Sequence, residues 1–188
     1  MPRLALLCAF CLVLLAACRP TFDWRVVHPQ HAALSALLPC KPQRAERSVD
    51  LDGQTVLMEM LSCETGGAQF AIAHTNPIAD PARADALLAQ WRAVTLANLR
   101  ARSTGEQPFV PAGGLGLPGS VRVSASGQRL DGGAVTLQAA WFARATPDGV
   151  QLFDAVVYAP KLQQEVGETF FSSLKLQPAG ANPDNRSQ

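Results

Sequence analysis

Histidine and aromatic residues are scarce in this chain of 188 residues, which has eight phenylalanines, three tryptophans, one tyrosine and three histidines. The histidines are His28, His31 and His74, and Pro29 keeps the first two from sharing one helical face. A metal centre needs three or four ligands held in a fixed geometry. We therefore expect no metal site, and no motif in the chain predicts another cofactor.

An excess of charge of one sign is also missing. The chain has 16 lysines and arginines against 15 aspartates and glutamates, and no run of either sign stands out along it. Proteins that bind nucleic acid usually carry a basic stripe or patch. The sequence therefore argues against nucleic acid as a partner, and it contains no polybasic segment that would bind lipid.

A long hydrophobic run is absent as well. The uncharged stretch 4–17 follows Arg3 and is shorter than the about 20 apolar residues of a membrane-spanning helix. It closes with Leu15-Ala16-Ala17-Cys18, which resembles the lipobox of bacterial lipoproteins. The resemblance implies a signal peptide at 1–17, lipidation of Cys18 and a short tether at 18–21.

The lipobox resemblance also implies a location. Lipoproteins with a residue other than aspartate after the lipidated cysteine are sorted to the outer membrane, and Arg19 occupies that position here. We therefore expect a protein of the cell envelope, held on the outer membrane by its acyl chains and facing the periplasm. The alternative is an ordinary secretory signal peptide in which Cys18 is incidental.

Two cysteines remain once the leader and Cys18 are set aside. Cys40 and Cys63 form an even pair in an oxidising compartment, which favours a disulfide. Asp52-Gly53 predicts a two-residue hairpin turn, and the resulting register makes the two cysteines diagonal neighbours, roughly 7–8 Å apart. A disulfide between them therefore requires a local distortion, and two free buried thiols are the alternative.

The pattern of apolar and turn residues predicts an α+β fold. Strands separated by Asp-Gly and Pro-Asp-Gly turns favour a largely antiparallel β-sheet packed with two helices. The first helix should begin at Asp80-Pro81, run to about Arg102 and end at 103–105, and the second should open at Pro160. We expect one domain at 22–176, followed by a disordered tail at 177–188.

Several landmarks occur in the order found in one family. They are Leu38-Pro39-Cys40-Lys41-Pro42, then a hairpin and a long helix, then Gly116-Leu117-Pro118-Gly119, and finally a helix with Phe170-Phe171 that ends in Ser173-Leu174-Lys175-Leu176. This arrangement resembles the small secreted PsbP-like proteins of unknown function. The resemblance implies an α/β/α sandwich and a mostly non-catalytic accessory role, and it supplies no catalytic residue.

The sequence predicts a function only in outline. We expect a non-enzymatic binding or accessory module whose partner is an envelope protein or a ligand. The irregular segment 108–119 is the candidate contact loop, with Gly113, Gly114, Gly116, Pro118 and Gly119 as its central residues. The alternatives are a small-ligand carrier with an apolar cavity and a small hydrolase with a site assembled from distant serine, histidine and aspartate residues.

Overall fold

The computed structural model describes residues 21–129 and 131–177. Predictions that concern the signal peptide, Cys18 and the tail from 178 onward therefore lie outside the described residues. In the described part, two α-helices and ten strands follow one another in the order β1 Arg25–Val27, β2 Leu34–Leu38, β3 Gln43–Leu51, β4 Gln54–Thr65, β5 Ala68–Thr75, α1 Ala84–Asn98, β6 Arg102–Pro108, β7 Val121–Gln128, β8 Ala134–Thr146, β9 Gly149–Ala159, α2 Gln164–Ser172 and β10 Lys175–Leu176.

The strands form two antiparallel sheets. The large sheet has seven strands in the order β3-β4-β5-β9-β8-β7-β6, and the small sheet has three in the order β1-β2-β10. Every pair of neighbouring strands is antiparallel. The predicted α+β class, with a largely antiparallel sheet and two helices, is confirmed.

The large sheet is covered on both faces. Helix α1 packs on one face through Leu87, Leu88 and Trp91. The opposite face is covered by α2 and by the small sheet, whose buried residues include Leu34 and Leu38. Because strands alternate their side chains between faces, β5, β8 and β9 must be apolar on both sides, and they are buried almost throughout.

The hairpin between β3 and β4 has the predicted register. Leu51 pairs with Gln54, and the pairing continues without a shift to Gln43 opposite Ser62. Asp52 and Gly53 both have positive φ, of 53° and 73°, as the type I′ turn of a two-residue hairpin requires. The Asp50 side chain accepts a hydrogen bond from the Gly53 amide at 3.0 Å, which stabilises the turn.

Cys40 and Cys63 are joined by a disulfide, and their Cα atoms lie 5.9 Å apart. This distance is shorter than the diagonal spacing of a regular hairpin. The regular pairing of β3 begins only at Gln43, so Cys40 lies outside the ladder and its position is not fixed by the hairpin register. The bridge therefore needs no distortion of the β3–β4 pairing.

The predicted end of the first helix is wrong. The Asp80 side chain caps a 3₁₀ turn, Pro81–Arg83, at the Ala82 amide. Helix α1 itself begins at Ala84, after that turn, and stops at Asn98 rather than near Arg102. The Leu99 carbonyl accepts a hydrogen bond from the Gln128 amide at 2.8 Å, and the residues predicted as the helix terminus form the exposed edge strand β6 instead. Pairing with β7 overrides the local helical pattern.

The second helix is also shorter than predicted. It begins at Gln164 rather than beside Pro160, and its buried residues are Gly167, Phe170 and Phe171. Gln177, which the sequence places in the tail, is instead attached to the domain, because its amide donates to the Ala33 carbonyl at 2.8 Å.

The strands give the large sheet two ends, which we name after the residues found there. The Gly66 end contains the Gly66-Gly67 turn between β4 and β5 and the last residues of β7 and β9. The His74 end contains the last residues of β5 and β8 and the first of β9.

One carboxyl group lies within the core. Asp154 on β9 pairs with Ala73 and Trp141 on the face that α1 covers, and it is 6% exposed. Its Oδ1 atom makes no hydrogen bond within the described residues, and neither does Trp141 Nε1. Removal from water raises the pKa of Asp154 to about 7, because burial penalises the charged carboxylate.

This burial predicts a pH-dependent effect of Asp154→Asn. Because the pKa of Asp154 is raised, the folded state binds this proton more tightly than the unfolded state does. The stabilisation that results is complete below pH 3.8 and is lost as the pH rises through 7. The uncharged amide should avoid that loss and stabilise the protein by up to about 4 kcal/mol at pH 8, with little effect at pH 4. Urea unfolding at both pH values measures the difference. Asp148→Asn, at an exposed turn, is the matched control, and equal effects of Asp154→Asn at both pH values would contradict the prediction.

Candidate functional site

Four polar side chains meet at the His74 end of the large sheet, on the face that the small sheet covers. Strand pairing sets His74 opposite Glu59 and Gln151 opposite Arg144. His74, Gln151 and Arg144 are buried, with exposures of 2%, 2% and 8%. Buried polar groups of this kind require partners, and the segment between β1 and β2 supplies one of them.

The segment 28–33 crosses over this cluster. Its backbone turns at His31, which has a positive φ of 54°, while the preceding Pro29 is buried. Gln151 Nε2 donates to the His31 carbonyl at 2.9 Å. A single amide on β9 therefore fixes the crossing segment to the large sheet.

The same amide nitrogen also contacts the His74 ring. Gln151 Nε2 lies 2.9 Å from the Thr75 carbonyl and 3.2 Å from His74 Nδ1. An NH₂ group has two hydrogens to donate, and the carbonyls of His31 and Thr75, both at 2.9 Å, match them. Burial lowers the pKa of His74, an effect larger than the opposing influences of the Thr75 carbonyl and the Glu59 carboxylate.

Glu59 lies between two imidazoles. Its Oε1 atom is 3.4 Å from His31 Nδ1, and its Oε2 atom is 3.9 Å from His74 Nε2. His74 Nε2 makes no hydrogen bond to any described residue. A cavity of about 20 Å³ borders both Glu59 and His74, which is the room of one water molecule.

A larger groove opens beside this cluster, with a volume of about 660 Å³. Its walls are the segment 28–34 and the ends of β8 and β9, and we call it the distal groove. Arg144 lies at the base of the distal groove, where its Nε atom donates a hydrogen bond to the Gln177 carbonyl at 2.7 Å. The remaining lining residues outside 28–34 are Pro77, Thr146, Asp148 and Gln151.

The distal groove is lined by both hydrogen-bond donors and acceptors. Imidazole, guanidinium and amide groups offer hydrogen-bond donors, and Asp148 and backbone carbonyls offer acceptors. Between residues 21 and 129 and between 131 and 177, no group of three or more histidine, cysteine, aspartate or glutamate side chains is arranged to hold a metal ion. In the same ranges no helix is long and apolar enough to cross a membrane.

The predicted contact loop lies elsewhere and is tied to the fold. Gly113 has a φ of 78°, and a Cβ there would lie 2.2 Å from the Leu176 carbonyl oxygen. The Leu115 amide donates to the carbonyl of Ala143 on β8, and the Gly119 amide donates to Asp85 on α1 at 2.6 Å. Gly114, Gly116 and Pro118 lie between these attachments, and a contact role for the loop remains a prediction.

From the sequence, no histidine is predicted to be a metal ligand, and His28 and His31 are predicted to lie in a surface loop. The structure brings His31 and His74 together at Glu59 and leaves His28 exposed. No sequence motif marks this site, because Glu59, His74 and Gln151 come from three strands. The local signal that could have found it is a polar residue in each of three otherwise apolar strands.

Comparisons with known proteins leave the family open. No family model matches the chain, and no curated protein matches it. Among solved structures, it is similar to PA94, a protein of unknown function from Pseudomonas aeruginosa, at 15% identity and a TM-score of 0.34. The match covers 73% of this chain and 84% of the other.

The burial of His74 predicts a loss of stability in acid. Its lowered pKa means that the unfolded state takes up the proton first, so stability falls as the pH drops below 6.5. His74→Asn keeps an acceptor near Nδ1 and should remove this component, which amounts to at most about 2 kcal/mol between pH 7.5 and 5.

Urea unfolding of the wild type and the variant at the two pH values measures this component. His28→Asn, at an exposed position, should keep the wild-type dependence on pH. An unchanged pH dependence in His74→Asn would show that His74 does not cause the loss.

Proposed function

We propose that this protein is a lipid-anchored binding module of the cell envelope, without catalytic activity of its own, and that the distal groove is its binding site. The proposal combines the lipobox at 15–18 with the position of the groove. One observation carries it: the chain enters the domain at the Gly66 end, while the groove opens at the opposite end.

The entry point is defined by contacts of the first described residues. The Thr65 hydroxyl donates to the Thr21 carbonyl at 2.6 Å. The Phe22 ring lies so close over Gly66 that a Cβ there would be 2.8 Å from its Cζ atom. Cys18 is three residues before Thr21, which limits the separation of their Cα atoms to about 11 Å.

The length of β5 then sets the distance of the groove from the anchor. The strand runs from Ala68 at the turn to Thr75 beside the cluster, and seven steps of about 3.4 Å span about 24 Å. A lipidated Cys18 would keep the Gly66 end near the membrane. The distal groove would then face the periplasm, where a partner could reach it.

The surroundings of His74 favour binding over catalysis. A nucleophilic hydrolase needs a serine hydroxyl or cysteine thiol hydrogen-bonded to its histidine. In the described part of the chain, the polar contacts of the His74 ring within hydrogen-bond distance are with Thr75 and Gln151, and none involves a serine or cysteine. These contacts orient the ring without activating a nucleophile.

The carrier alternative receives less support. A carrier needs a preformed and mostly apolar cavity that encloses its ligand. The distal groove is open and has His28, His31, Arg144 and Asp148 among its lining residues. It suits a polar ligand or a segment of a partner protein better than an apolar small molecule.

The anchor is tested by Cys18→Ala. Without the thiol that receives the acyl chains, the full-length protein should leave the membrane fraction and appear in the soluble periplasmic fraction. Fractionation with immunodetection measures the distribution, and Cys40→Ser/Cys63→Ser provides a control that removes cysteines but keeps Cys18. Retention of Cys18→Ala in the membrane fraction would contradict lipid anchoring.

The binding role is tested by photo-crosslinking in intact cells. A photoreactive side chain at Gln30, which is exposed and lines the distal groove, should give a discrete adduct. The same group at Val94, exposed on α1, should not. Adducts of equal yield at both positions, or at neither, would count against the groove as the binding site.

A further inference from the structure

Basic residues from four separate segments gather at the Gly66 end. Arg100 follows α1, and its neighbour Leu99 is bonded to Gln128 at the end of β7. Arg129 comes directly after β7 and bonds across the next turn to Gly133. These contacts place Arg100 and Arg129 at the same end of the sheet although they are far apart in the sequence.

Two lysines extend this basic surface. Lys161 follows β9 after Pro160, and Lys41 follows the disulfide-bonded Cys40. Lys41, Arg100, Arg129 and Lys161 are all exposed. In the described residues none of the four has a carboxylate within 4.0 Å, whereas Arg83, Arg92 and Arg122 are paired.

The acidic residues are distributed the other way. Glu64 and Asp131 are exposed acids beside the four basic residues, and Asp23, where the chain enters the domain, is paired with Arg25. The His74 end carries the exposed acids Asp50, Asp52, Asp80 and Asp148, of which Asp52 is paired with Arg83. Four exposed acids thus lie at the His74 end, against Glu64, Asp131 and the paired Asp23 at the Gly66 end.

An apolar pocket of about 160 Å³ lies within this basic surface. Its lining residues are Gln69, Leu99, Arg129, Val135 and Tyr158. Tyrosine and arginine combine an apolar body with a polar tip, and such side chains suit the boundary between lipid and water. The pocket thus adds an apolar contact to the positive charge.

We propose that the Gly66 end, with Lys41, Arg100, Arg129 and Lys161, is a surface that binds anionic phospholipid headgroups. This inference rests on the proposed lipid anchor, which would hold Thr21, at the Gly66 end, about 11 Å or less from the anchored cysteine. That reach is close to the Debye length of about 8 Å at physiological salt. The anchor and the basic surface then act together and orient the domain with the distal groove away from the membrane.

The test uses the mature chain from residue 18 with Cys18→Ala, so that acyl chains cannot contribute. It should cosediment with vesicles of phosphatidylcholine and phosphatidylglycerol and not with vesicles of phosphatidylcholine alone. A basic residue near an anionic surface is worth about 1 kcal/mol. Arg100→Gln/Arg129→Gln should therefore weaken the binding about 30-fold, and high salt should weaken it further.

The matched control removes the same charge elsewhere. Arg83→Gln/Lys175→Gln changes two basic residues away from the Gly66 end and should bind anionic vesicles within about threefold of the parent chain. Equal losses in both double variants, or no preference for anionic vesicles in the parent chain, would overturn the inference. Thermal unfolding of each variant shows whether a loss of binding reflects a loss of fold.

A second measurement on the lipidated protein tests the orientation directly. A fluorophore at Gly67 should be quenched by a lipid carrying a quencher at its headgroup, and one at Asp148 should not. Equal quenching at the two positions would overturn the inference even if Cys18→Ala releases the protein from membranes. The fractionation of Cys18→Ala tests the lipid anchor alone. The lipid anchor and the headgroup-binding surface can therefore each be contradicted without the other.

Discussion

The burial of β5, β8 and β9 on both faces is the constraint on which the rest of the structure depends. Almost every side chain of these three central strands is removed from water, so each face of the large sheet needs a cover. Helix α1 covers one face, and the small sheet with α2 covers the other. The covering segment 28–34 must then cross the His74 end, and that crossing forms the distal groove.

The central strands also carry the buried polar residues beside the distal groove. Their length separates the distal groove from the Gly66 end by about 24 Å. Gln151 Nε2 lies within hydrogen-bond distance of three acceptors, including the His31 carbonyl, and thereby joins the covering segment to the core beside the groove. The other end, where the chain enters the domain through Thr21 and Phe22, carries the exposed cations Lys41, Arg100, Arg129 and Lys161. A basic surface and an acyl anchor there would hold the recognition surface clear of the bilayer.

Local chemistry predicted the elements that depend on a few neighbouring residues. Asp52-Gly53 determined a type I′ hairpin and its register, because these residues accept positive φ, and Asp80-Pro81 determined the 3₁₀ turn that leads into the first helix. Prediction failed where a distant partner overrides local preference. The Leu99 carbonyl bonds to Gln128, which ends α1 early and frees the following residues to pair with β7.

The sequence by itself determined the α+β class, the β3–β4 hairpin and the closeness of Cys40 to Cys63, since each follows from short-range patterns of apolar, turn and cysteine residues. Tertiary structure alone decided the candidate site and the basic surface. Glu59, His74 and Gln151 meet because strand pairing aligns three distant segments. The Gln128 amide bonds to the Leu99 carbonyl, and this contact brings Arg100 and Arg129, which follow the two bonded residues, to the same end of the sheet although the chain has no basic run.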